Sequence, residues 1–139
     1  MISISIFVLG LVIGSFLNAF IYRMEKEKSV VKGRSFCPHC KHTLSWYDLI
    51  PLVSFLLLKG ACRYCSKKIS FQYPAVELAT GLLFLAVLFF QGAGIVGLLF
   101  GLFIAAVFVV IFVYDLKHYL IPDIVVYAGI TASLLYLGA

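Results

Sequence analysis

Along this chain the polar positions collect into two islands, and long apolar runs separate them. Residues 2–22 (ISISIFVLGLVIGSFLNAFIY) are apolar almost throughout. About 20 such residues cross a ~30 Å hydrocarbon core as one helix. A secretory signal peptide fits this run poorly, because no positive segment precedes it and no small-x-small site closes it. Residues 24–35 are charged and lack an apolar period, so they read as an exposed linker. The apolar run from Leu49 to Leu58 is too short to span and carries Pro51. It reads as a re-entrant or interfacial segment, or as packing for a small domain. Residues 67–74 return the chain to the membrane surface, with Tyr73 in the aromatic belt and Pro74 in the first turn of the next helix.

The pattern continues with a second span from Ala75 to Phe90, an uncharged turn at 91–94 and a third span at 95–114. Tyr114 to Asp123 is the second island. A fourth apolar segment follows at 124–137; counted from Pro122 it is roughly 18 residues, barely a span. The expected fold is an all-α polytopic membrane protein with about four transmembrane helices and a small polar domain. Its divisions fall at 1–23, 24–74 and 75–139. No internal repeat is visible.

Composition supports a membrane protein. The 139 residues are 63% hydrophobic and 12% charged, where a soluble domain is about half apolar and about a quarter charged. Ten of the eleven Lys and Arg residues lie between Arg23 and Lys68. Basic residues in a short loop mark the cytoplasmic side, and Lys117 puts the second island there too. Both islands are then cytoplasmic, and both termini are outside. Orientation accounts for the basic cluster, so no nucleic-acid partner is expected.

The first island holds all four cysteines, in two C-x-x-C pairs: Cys37 with Cys40, and Cys62 with Cys65. Two such pairs close a tetrahedral Cys₄ site around one Zn²⁺. A reducing compartment favours thiolate–metal bonds over disulfides. A site with four protein ligands has no open position, so it is structural. His39 and His42 are alternative ligands, and free thiols or a redox pair are the alternative chemistry.

Six acids remain. Glu25, Glu27 and Asp48 read as solvated loop charges. Glu77 lies about one turn inside the second span, where an ionisable residue is a functional candidate by default; it could reach the interface or pair with a base. Asp115 and Asp123 on one continuous helix would be about 12 Å apart along the axis. Pro122 breaks such a helix and predicts a tight turn at 117–121, with both carboxylates at one depth. Asp123 then sits at a helix N-terminus, where the dipole favours its charge, and Asp115 at a C-terminus, where it does not. Two nearby carboxyls can share one proton, one activating water and the other hydrogen-bonding a scissile carbonyl. A transporter fits poorly, because these acids lie at the surface rather than at the midplane. Gly10 and Gly14, followed by Ser15 and Asn18, make a small-residue face suited to close helix packing.

With these motifs in view, the whole chain resembles the bacterial prepilin peptidases, the bifunctional type IV prepilin leader peptidases and N-methyltransferases of aspartyl peptidase family A24. Gly10 to Arg23 follows the family opening G-x-x-x-G-S-F-x-N-x-x-I-x-R. The block from Arg34 to Gly81, RSFCPHCKHTLSWYDLIPLVSFLLLKGACRYCSKKISFQYPAVELATG, follows the family pattern, and YDLKHYLIPD resembles its first aspartate motif. The resemblance implies a multi-pass protein of the bacterial inner membrane. It implies cleavage of the leader of a prepilin or pseudopilin at the cytoplasmic face, for type IV pili or type II secretion. It also implies methylation of the new N-terminus with S-adenosylmethionine.

Under the same resemblance, Asp115 matches the first catalytic aspartate, and Asp123 takes a supporting role. The cysteine block matches the methylation-associated domain, and 75–139 holds the start of the peptidase domain. The family's second aspartate comes from a G-x-G-D motif, and no G-x-G-D occurs here. The expectation is an N-terminal fragment or a natural short form that is not a competent peptidase alone. A zinc-stabilised scaffold for pilus or secretion assembly and a stand-alone N-methyltransferase are the alternatives. A pilin helix is expected to pack against the spans, at Gly10 and Gly14.

Overall fold

The computed structural model describes residues 1–26, 35–90 and 94–138. Among them are five α-helices: α1 (Ile2–Glu25), α2 (Val53–Leu57), α3 (Gln72–Phe90), α4 (Gly94–His118) and α5 (Asp123–Leu137). A short 3₁₀ turn, Trp46–Leu49, precedes α2. No strand forms among the described residues; there are two isolated antiparallel bridges, Phe36 with Thr43 and Ala61 with Lys68. The all-α polytopic expectation holds. Helices α1, α3 and α4 are each long and apolar enough to cross a membrane. The fourth segment, α5, is apolar but has 15 residues. It rises about 22 Å and falls short of a ~30 Å core. Most of the linker, 27–34, and the turn residues 91–93 lie outside the described residues.

Helices α1 and α3 pack backbone to backbone because glycines face the contact. A methyl group placed on Gly10 would stand 2.6 Å from the Gly81 Cα, and one on Gly14 would stand 2.7 Å from the Glu77 Cα. Without a strong hydrophobic drive between helices in lipid, such close approach supplies the van der Waals contact that holds them. The small-residue face is thus filled by α3 and is not open to a pilin helix, contrary to expectation. Below it, Leu17 and Ile21 of α1 meet Val76 of α3, with Val109, Val110 and Val113 of α4 completing the core. Phe16, Leu82, Phe108 and Phe112 point outward and are exposed, as a lipid-facing surface requires.

The run from Leu49 to Leu58 is interrupted at Pro51, and only the five-residue α2 follows. The break before α5 lies at residues 119–122 rather than 117–121, because α4 continues through His118. Tyr119 closes it: with φ at 52°, its N–H returns to the Asp115 carbonyl at 2.8 Å, an αL helix cap.

Candidate metal centre and adjoining cleft

The two cysteine pairs sit in hairpins with the same backbone. In the first, the Cys37 N–H donates to the His42 carbonyl (2.9 Å), the Lys41 N–H to the Cys37 carbonyl (3.0 Å) and the Leu44 N–H to the Ser35 carbonyl (2.8 Å). In the second, the Cys62 N–H donates to the Lys67 carbonyl (2.9 Å), the Ser66 N–H to the Cys62 carbonyl (2.9 Å) and the Ile69 N–H to the Gly60 carbonyl (2.7 Å). Each group lies 25 positions after its counterpart. Lys41 and Ser66 occupy equivalent places with φ at 60° and 56°. This is a local repeat that the sequence reading missed. Few side chains match, and the likeness lies in main-chain bonds around the two C-x-x-C pairs.

The hairpins bring the four sulfurs of Cys37, Cys40, Cys62 and Cys65 within 4.8 Å of one another. Cys37 and Cys65 are 3.9 Å apart. A tetrahedral zinc with bonds of ~2.3 Å separates its sulfurs by about 3.8 Å. The donor set and spacing therefore fit one Zn²⁺. None of the four is in a disulfide. Cys37 and Cys62 are buried, and Cys40 is exposed. At Cys65 the Lys67 N–H favours the thiolate, but burial and the thiols of Cys62, Cys40 and Cys37 prevail and push it up to about 11. A divalent cation at the centre would supply the charge that thiolates need. Neither histidine joins the cluster. The His42 ring packs on Tyr64 instead, with centroids 3.7 Å apart.

Asp48 clamps the region between the hairpins. Its carboxylate accepts from Arg63 Nε (2.8 Å), the Tyr64 hydroxyl (3.1 Å) and the Ser45 N–H (3.2 Å). Burial opposes the charge, and the Arg63, Ser45 and Tyr64 donors outweigh it, holding the carboxyl below the usual carboxylate range. Asp48 is therefore a structural ion, not the solvated charge expected. The available signal was Ser45-x-x-Asp48, a capping-box spacing ahead of the 3₁₀ turn. Glu25 is likewise engaged, with Lys117 Nζ at 2.8 Å and His118 Nε2 at 3.5 Å. That contact ties the end of α1 to the end of α4. Glu27 lies outside the described residues.

A cleft of about 650 Å³ opens between the hairpins and the adjoining ends of α1 and α3. Ser15, Tyr22, Phe55, Tyr73 and Glu77 line it, with Arg23, Arg63, Lys67, Lys68 and Lys117 among its cations. Tyr73 faces the cleft. Asn18, buried beside it, donates to the Tyr73 carbonyl at 3.0 Å. Glu77 is 7% exposed, and its Oε2 accepts the Leu52 N–H at 2.8 Å. Leu52 adopts φ 58° and ψ −46°, and the Val53 N–H bonds the Pro51 carbonyl at 2.6 Å. That is a three-residue γ-turn of the rare, strained hand. No basic residue is bonded to Glu77 among the described residues. Asp115 and Asp123 flank the 119–122 break and are both exposed. The cleft lining includes neither of them.

The bacterial peptidase A24 N-terminal domain matches residues 8–90, which cover most of α1, both hairpins, α3 and the cleft lining except Lys117. The chain belongs to the bacterial A24 peptidase family. Similar A24 relatives include the prepilin leader peptidase/N-methyltransferases of Myxococcus xanthus (42% identical over 95% of this chain and 39% of that protein) and Klebsiella pneumoniae (37% identical over 96% and 58%). The Bacillus subtilis protein of the same name is 42% identical over 85% of this chain and 47% of its own length. This A24 chain therefore spans about two fifths to three fifths of the length of these relatives. No solved structure matches it.

Proposed function

We propose that the chain is the methyl-transfer portion, with the first aspartate motif, of a prepilin leader peptidase/N-methyltransferase. The observation that carries this reading is the A24 N-terminal match over the same residues that build the sulfur cluster and its cleft. In this reading residues 24–74 form the methylation-associated domain, and 75–139 begin the peptidase domain. The protein lies in the bacterial inner membrane, with the cysteine hairpins and Asp115 on the cytoplasmic side. Its substrates are type IV prepilins or pseudopilins of pilus and type II secretion systems.

Cys37, Cys40, Cys62 and Cys65 would hold a structural Zn²⁺ that fixes the two hairpins to each other. The cleft has the volume of a small-molecule site and would take the methyl donor, S-adenosylmethionine, beside the substrate's N-terminus. The bound donor supplies a sulfonium methyl group. The chain's own residues would shield that group from water, with Tyr22, Phe55 and Tyr73 lining the cleft. Asp115 would be one of the two aspartates that activate water for leader cleavage, with Asp123 supporting it. The other aspartate belongs to the G-x-G-D motif, which this chain does not contain.

The test uses the purified chain in lipid, with labelled S-adenosylmethionine and a peptide bearing a mature pilin N-terminal phenylalanine. The reading expects donor binding and one methyl group transferred to the amine. Binding should fall when Cys62 is replaced by serine and survive Asp115→Asn. A chain that carries zinc but binds no donor would instead be a scaffold.

A further inference from the structure

Among the described residues, three acids line the cleft: Glu25, Asp48 and Glu77. Two of them already have cations. Glu25 is paired with Lys117 and His118, and Asp48 with Arg63. Glu77 is different. It is 7% exposed, no ion pair reaches it among the described residues, and its hydrogen-bond donor there is neutral, the Leu52 N–H. A buried carboxylate without a cation loses hydration that a neutral hydrogen bond restores only in part. A cationic ligand would complete it. The strained turn at Leu52 and the α1–α3 backbone contact at Gly14 hold the carboxylate in place, so its position does not wait on the ligand.

We infer that Glu77 receives the substrate's N-terminal ammonium in the cleft and accepts its proton during methyl transfer, as a catalytic base. The inference rests on the methyl-transfer reading of this cleft. A protonated amine has no lone pair with which to attack. The ammonium first gives one proton to the Glu77 carboxylate. The freed lone pair then forms the new N–C bond to the methyl of the sulfonium donor. The methyl–sulfur bond breaks, and its electron pair stays on sulfur, which leaves as a neutral thioether. The product is an N-methylammonium, and the proton on Glu77 passes to water in the cleft. General-base catalysis of this kind contributes typically about 10²–10⁴-fold.

Glu77→Gln separates this role from a structural one. The amide keeps the shape and an oxygen acceptor for the Leu52 N–H, but it carries no charge and takes up no proton. The expected result is a loss of methyl transfer of about 100-fold or more, with zinc content and unfolding temperature unchanged. Glu77→Asp should restore part of the rate. A second readout needs no turnover. The wild-type chain should bind a mature-pilin peptide with a free amine more tightly than the same peptide N-acetylated, and Glu77→Gln should not distinguish them. Equal wild-type affinity for the two peptides, or undiminished transfer by Glu77→Gln, overturns the inference alone. Absence of both donor binding and transfer in the wild-type chain overturns the methyl-transfer reading, and the inference with it.

Discussion

The main-chain N–H of Leu52 donates to the Glu77 carboxylate at 2.8 Å, so a turn between the two cysteine hairpins is fastened to a membrane-spanning helix. The bond joins residues 25 positions apart and satisfies a donor that the γ-turn geometry leaves outside any helix. Replacing Glu77 with leucine removes the acceptor. A buried N–H left without a partner costs about 1–3 kcal/mol. Hydrogen exchange should therefore speed up at Leu52 and α2 while α4 stays protected.

The glycine contact should be intolerant of any side chain. Gly10→Ala and Gly14→Ala place a methyl group 2.6 and 2.7 Å from backbone atoms of α3, and backbone cannot rotate aside. Overpacking of this kind costs typically about 1–3 kcal/mol. Thermal unfolding in micelles should show both variants destabilised. Gly129→Ala, whose nearest neighbour is a Val107 methyl at 3.4 Å, should unfold close to wild type.

Asp48 makes a pH-dependent contribution. Its carboxyl is held below the usual carboxylate range, so the folded chain binds that proton less readily than the unfolded chain. The stabilisation is complete above the ordinary carboxylate range and is lost as pH falls through the lowered value. Asp48→Asn should cost up to about 1 kcal/mol at neutral pH, the scale of a solvent-screened pair. The gap between variant and wild type should close in acid. A gap independent of pH would show that the charge is not involved.

Metal content should be one zinc per chain. Cys37→Ser or Cys62→Ser removes a buried ligand and should lower zinc to a small fraction of that. Chelation should disorder both hairpins together, because each supplies two of the sulfurs. Trp46, the single tryptophan, lies in the 3₁₀ turn between them and reports the change by its emission. The helical signal of α1, α3 and α4 should persist.

Asp115 should matter for cleavage and not for folding. It is exposed at the end of α4, so Asp115→Asn disturbs no packing. When the chain is joined to a segment carrying the G-x-G-D aspartate, this variant should lose leader cleavage by roughly 10³-fold or more. Zinc content and methyl transfer should be unaffected.

The spans and the sulfur cluster were legible in the sequence because each depends on one strong local signal. Unbroken apolar length marks α1, α3 and α4, and C-x-x-C spacing marks the ligands. What escaped was tertiary. Asp48 and Glu25 looked like loop charges because their partners, Arg63 and Lys117, lie 15 and 92 positions away. The Gly10–Gly14 face was legible as a packing surface, but its occupant was not, since α3 carries only Gly81 as a matching cue. The apolar run around Pro51 was ambiguous for a physical reason. Phe55 and Leu58 turn toward the cleft while Val53, Leu56 and Leu57 stay exposed, and hydrophobicity alone does not separate the two faces.

The most direct measurement is mass spectrometry of a prepilin and of its mature form, each incubated with the zinc-loaded chain in lipid and S-adenosylmethionine. The account predicts an intact leader on the prepilin and one added methyl group on the mature form. Leader removal that is abolished by Asp115→Asn would contradict it, by showing that Asp115 and Asp123 already make a working pair. An unmodified mature form would contradict the methyl-transfer assignment of the cleft.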